Sequence, residues 1–197
     1  KHVDHIKQII SKQQSYAKIS GYSEWITPAE LFEDAIDLNL NSILSIQITL
    51  VRKFEEVGQV CTEKHKILQI LTNLLSNAKQ AIEEFDSSKK LIVLRIGKVD
   101  EELMFFEVRD SGHGISDENM KKIFSHGFTT KKEGHGFGLH SSINAAMELG
   151  GSLTATSGGQ GQGATFRLET PYLYHADPRE NDCKQSNELN TLERLLV

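Results

Sequence analysis

The chain has 197 residues, with 22 Lys and Arg against 27 Asp and Glu and a formal net charge of −5; this suits one well-buried domain with an appendage and excludes the strong basic excess of a nucleic-acid binder. It has no apolar run of the roughly 18 residues that a membrane span needs, and no charged-then-apolar leader. The two cysteines, Cys61 and Cys183, lie far apart with no CxxC pattern, so neither a disulfide framework nor a zinc knuckle is expected, and a reducing cytoplasm is the simple reading.

The chain opens on Lys1 inside an amphipathic pattern, without an initiator methionine or an N-cap signal, and reads as part of something longer. Val3, Ile6, Ile9, Ile10 and Ala17 form one apolar stripe of a helix that ends near Gly21, and such a stripe needs a partner helix. Thr27-Pro28-Ala29-Glu30 supplies a capping hydroxyl, a proline at the first helical position and an acid at the third, so a helix is expected from Pro28 to about Leu40. Ile46, Ile48 and Leu50 alternate with polar residues and predict a half-buried strand, while Lys64 to Phe85 carries leucines and isoleucines at helical spacing.

Leu91–Lys98 and Glu102–Asp110 predict a hairpin whose far end delivers Asp110. A short helix is expected from Ser116 through Phe124. The segment Ser125–Gly138 is irregular and is expected to form a mobile loop. A helix from Gly138 to Leu149 and strands Ser152–Ser157 and Ala164–Thr170 follow, and the tail after Pro171 is mostly polar. Hairpins in place of βαβ alternation predict a two-layer α/β (α+β) sandwich, with helices on one face of a mainly antiparallel mixed sheet. The expected division is an N-terminal helix over 1–21, a globular domain over 22–173 and a tail over 174–197.

Four segments carry chemistry. Asn73 and Asn77, four apart on the long helix, place two amides on one face, and amide oxygens are hard neutral ligands suited to magnesium. Asp110-Ser111-Gly112-His113-Gly114 puts a carboxylate at a strand end, next to glycines that admit a flat ligand; such an acceptor takes the amino proton of adenine and meets an oxygen on guanine. Gly134-His135-Gly136-Phe137-Gly138-Leu139 leads into a helix whose first amides can cradle phosphate, although it matches neither the Walker A loop nor the dinucleotide fingerprint. Gly163-Ala164-Thr165-Phe166 is a glycine entering a strand.

In this order, and with Phe124 and Phe128-Thr129-Thr130-Lys131 between them, the segments resemble the N, G1, F, G2 and G3 boxes of histidine kinases, a family that also includes gyrase B, MutL and the ninety-kilodalton heat-shock chaperone. The resemblance spans roughly Lys64 to Pro171. It implies a Bergerat-type ATP fold in which ATP and magnesium are the cofactors and Asn77 is the metal ligand, with Asn73 beside it. Asp110 becomes the adenine acceptor, Gly112 and Gly114 allow close approach, and Thr165 lies behind the ring. Gly134, Gly136, Phe137, Gly138 and Leu139 form the phosphate loop, and Phe128, Thr129, Thr130 and Lys131 belong to the ATP lid, as does Lys132.

Hydrolytic members carry a glutamate where this chain has Asn73, which cannot serve as a general base, so a kinase is favoured over a hydrolytic ATPase; a nucleotide-bound switch without phosphotransfer stays open. His2 and His5 lie on what resembles the second helix of a dimerisation hairpin, and neither has the phosphoacceptor pattern. The resemblance therefore implies that no catalytic residue lies in this piece. It also implies partners: the phosphoacceptor hairpin of the same protein, a response regulator, and a second copy in a homodimer. His113, His126, His135 and His140 lack matched metal-ligand spacing.

Overall fold

The structure is a computed structural model that describes residues 23–85, 89–131, 136–174 and Cys183. The expected N-terminal helix and most of the tail lie outside these residues. The elements run β1 (Glu24–Ile26), α1 (Pro28–Ser45), β2 (Thr49–Phe54), β3 (Val60–Thr62), α2 (Lys64–Glu83), β4 (Leu91–Lys98), β5 (Leu103–Asp110), α3 (Asp117–Met120), α4 (Gly138–Glu148), β6 (Ser152–Ser157), β7 (Ala164–Pro171) and β8 (Leu173–Tyr174).

Five strands in the order β2-β4-β5-β7-β6 make the main sheet, parallel between β2 and β4 and antiparallel at the other three ladders. Helix α2 packs between α1 and α4 over this sheet, giving the expected two layers. It buries Ile67, Ile70, Leu71, Leu74, Leu75, Ala78 and Ile82 in one cluster with Ile92, Leu94 and Ile96 of β4 and Met104, Phe106 and Val108 of β5. Alternation along β5 puts Asp110 in the same inward row as Met104, Phe106 and Val108, so an apolar row ends in a carboxylate.

The outer face of the sheet is not bare. Phe105 is buried beneath guanidinium groups, with Arg167 3.8 Å and Arg95 5.7 Å from its ring centroid. Both arginines pair with Glu107, at 3.2 Å from Arg95 and 3.7 Å from Arg167. A cation–π and ion-pair layer therefore covers an aromatic ring that would otherwise face water.

Several expectations change. Helix α1 runs to Ser45 and the strand begins at Thr49, not at Ile46. No breaker follows Leu40, and Ile43, 2 % exposed, continues the inward stripe of Ile36 seven residues earlier; its burial outweighs the β-propensity of Ile46 and Ile48. The short helix expected through Phe124 is regular only over Asp117–Met120, where the Ser116 hydroxyl accepts from the Asn119 amide at 3.3 Å. A second sheet, β1-β3-β8, was not anticipated, because strands of two or three residues are too short to show a period.

The expectation for the cysteines is overturned. Cys61 on β3 and Cys183 form a disulfide, with Cα atoms 5.8 Å apart and 122 residues between them in sequence. Cys183 lies against β3, a long-range contact that cysteine spacing does not reveal. Among the described residues no helix is long and apolar enough to cross a membrane.

Candidate functional site

A cavity of about 740 Å³ opens between α2, the loop after β5, the segment 128–131 and the start of α4. At one end lies Asp110, 4 % exposed. Its Oδ1 accepts from the amides of Gly112 at 2.8 Å and Ala164 at 3.3 Å, and Oδ2 is used by neither bond. Burial pushes the Asp110 carboxyl above its ordinary range, and the two amide donors oppose that shift.

The loop after Asp110 is fastened on both sides. The His113 amide donates to Ala81 on α2 at 3.2 Å; from the β6–β7 turn, the amides of Gly161 and Gly163 donate to His113 at 2.7 Å and to Gly112 at 3.1 Å. The close seat on α2 requires glycine at 112, since a Cβ there would stand 2.6 Å from the Ala81 carbonyl. The Ser111 hydroxyl donates to Lys89 at 2.7 Å and accepts from the Leu91 amide at 3.0 Å, tying the same loop to the start of β4.

The other end is built from helices. Phe137 stands at the N-cap of α4 and provides no side-chain cap, and the first-turn amides of this eleven-residue helix are donors of the kind that suit an anion. Across the cavity on α2, Asn73 and Asn77 stand one turn apart. The Lys131 ammonium donates to Asn77 Oδ1 at 2.7 Å, and the Asn73 amide donates to Ser142 Oγ at 2.9 Å. Burial lowers the Lys131 pKa from its ordinary value. Among the described lining residues, Lys131 is the one Lys or Arg.

Twelve of the residues given a site role from sequence line this cavity: Asn73, Asn77, Asp110, Gly114, Phe128, Thr129, Thr130, Lys131, Gly136, Phe137, Gly138 and Leu139. Gly112 lies behind it and holds Asp110. Gly134 and Lys132 lie outside the described residues. Thr165 does not line the cavity: strand alternation places Ala164 and Phe166 on the cavity wall and turns Thr165 to the opposite face, where it lines a second depression with Arg109 and Thr156. Sequence reasoning missed the apolar walls Ile115 and Ile123, whose apolar character was visible but equally consistent with core. It also missed Ser142, which no motif marks.

The arrangement suits an elongated ligand with a flat hydrogen-bonding ring at the carboxylate end and an anion at the helix end. Residues 62–173, more than half the chain, match the family described as histidine kinase-, DNA gyrase B- and HSP90-like ATPase. The chain belongs to this family. Among the relatives of this ATPase-family chain is the Escherichia coli sensor protein TorS, 34% identical over 184 residues, which cover 91% of this chain and 19% of TorS. Sporulation kinase E of Bacillus subtilis is 25% identical over 158 residues, covering 78% and 20% respectively. The chain thus spans about a fifth of the length of these relatives. The solved catalytic domain of histidine kinase ThkA superposes with a TM-score of 0.64 at 26% identity, over 76% of this chain and 95% of that one.

Proposed function

We propose that the chain holds ATP and magnesium in this cavity and presents the γ-phosphate to a histidine on a helical dimerisation hairpin, from which the phosphoryl group passes to a response-regulator aspartate. The observation that carries the reading is a buried carboxylate, an amide oxygen and the start of an eleven-residue helix facing one cavity. The hairpin, a second copy of the chain and the response regulator are its partners, meeting it on the cytoplasmic face.

In this reading the adenine amino group donates to Asp110, and guanine is rejected because it presents an oxygen to the same carboxylate. The triphosphate runs toward the first amides of α4, and Lys131 exchanges Asn77 for a phosphate oxygen. Magnesium fits the donor present: Asn77 offers a neutral amide oxygen that already accepts a cationic group. Asn77 would hold the ion, which when bound neutralises charge on the phosphate oxygens. A nitrogen of the acceptor histidine forms a bond to the γ-phosphorus as the bond to the β,γ-bridging oxygen breaks, and ADP leaves with that electron pair. Asn73 offers no base to water at the equivalent of the hydrolytic position, which favours transfer over hydrolysis.

Calorimetry with ATP and GTP in the presence of magnesium tests the reading. The expected result is ATP binding without GTP binding, and a loss of about 100-fold in ATP affinity for Asp110→Asn, as follows from mispairing a buried polar edge. A wild-type chain that does not bind ATP would refute it.

A further inference from the structure

Asn73 does more than stand beside Asn77. Ser142 is a polar residue on α4 with 1 % exposure, one helical turn after Gly138, so the two share a face of α4. That face meets Asn73 in the middle of α2. The Asn73 amide donates to Ser142 Oγ at 2.9 Å. Its Oδ1 occupies the space that a Cβ on Gly138 would need, with Asn73 Cγ and Nδ2 only 3.1 and 3.2 Å from that position.

One side chain therefore grips α4 at two points, by a hydrogen bond at Ser142 and by close packing at Gly138. Asn73 cannot swing aside without leaving the buried Ser142 oxygen short of a donor. Asn77 is one turn along the same face of α2. The placement of the α4 start relative to Asn77 is thus set through Asn73.

We propose that Ser142 is a positioning residue for the phosphate half of the site, fixing through Asn73 the anion-binding start of α4 opposite Asn77. This rests on the ATP reading above. The carboxylate end does not depend on the joint, because Asp110 is held by the amides of Gly112 and Ala164. Loss of Ser142 is therefore felt by a triphosphate and not by a bare nucleoside.

The experiment is calorimetry of the wild-type chain and Ser142→Ala with ATP plus magnesium and with adenosine. Ser142→Ala is expected to weaken ATP about fivefold, the size of one net hydrogen bond, and to leave adenosine unchanged. Wild type that fails to bind ATP overturns the ATP reading; wild type that binds ATP as tightly as Ser142→Ala does, or a proportionate loss for adenosine, overturns the positioning role alone. Thermal unfolding of Gly138→Ala adds a second measurement that does not depend on the folding of Ser142→Ala. It is expected to destabilise the wild type and to be neutral or mildly stabilising in an Asn73→Ala background, where the new methyl has room. Equal effects in both backgrounds overturn the joint.

Discussion

The two ends of the cavity are held by different kinds of bond. At the carboxylate end, Gly112, His113, Gly161 and Gly163 are locked by backbone amides and carbonyls that bridge α2, the β5 loop and the β6–β7 turn. At the helix end, α2 is joined to its neighbours across the cavity by side chains, Lys131 with Asn77 and Asn73 with Ser142. Backbone ties lose no side-chain entropy when a ligand arrives, so they suit a preformed selective socket. Of the side-chain ties, that of Lys131 with Asn77 can be exchanged for ligand atoms, which suits the proposed phosphate end, while Asn73 and Ser142 hold the walls on either side of it.

Gly163→Ala strikes hardest at the preformed end. Gly163 has φ 69°, and a Cβ there would overlap the carbonyl oxygen of Asp110. Backbone strain and a clash with fixed backbone add to about 3 kcal/mol or more of lost stability, read by denaturant unfolding, with adenosine binding lost as well. A variant of wild-type stability would mean that the carboxylate end yields easily.

The titration of Asp110 sharpens the same contrast. Its carboxyl is raised by burial, so the proton returns at a pH above the ordinary value of about 3.9. Adenine requires the ionised acceptor; adenosine affinity should then fall about tenfold for each pH unit below that raised value. Stability moves the opposite way, because the folded state favours the proton: the contribution of Asp110 is fully present below its unfolded pKa and is lost as pH rises through the folded one. Adenosine, which has no phosphate to titrate, is the probe; an affinity that stays flat until the ordinary carboxylate range tells against the assignment.

Lys131→Ala tests the exchangeable end. It removes the one ammonium among the described lining residues, and should weaken ATP about tenfold while leaving adenosine unchanged, both read by calorimetry. Equal loss for the two ligands would show that Lys131 shapes the cavity instead of meeting phosphate.

The difference between the ends also explains what was legible in the sequence. Asp110 was readable because local rules act on it: a period-two row of Met104, Phe106 and Val108 ends in a carboxylate, followed by glycines. The start of α4 was readable for the same reason, since glycines precede an amphipathic run. Thr165 was not, because a shift of one residue in a strand reverses its face and Gly-Ala-Thr-Phe carries no signal for which hydroxyl or methyl turns inward. Ser142 and the Cys61–Cys183 pair were equally hidden. Each depends on a partner 69 or 122 residues away, and neither Asn73 nor Cys61 has a local pattern that names its partner.

The smallest expected effect comes from Gly127→Ala, and it isolates packing from backbone preference. Gly127 has φ 74°, close to that of Gly163, yet among the described residues nothing lies within 4 Å of the Cβ it would acquire. Its amide donates to Gly136 at 3.1 Å, a bond that a methyl on the open side leaves in place. Only the left-handed backbone penalty remains, about 1 kcal/mol in denaturant unfolding, with adenosine affinity unchanged. Two alanines introduced at nearly the same φ should thus differ by about 2 kcal/mol because one meets fixed backbone and the other open space. If Gly127→Ala proves as damaging as Gly163→Ala, the backbone around Gly127 is packed as tightly as the carboxylate loop, and the division between a fixed end and an exchangeable one fails.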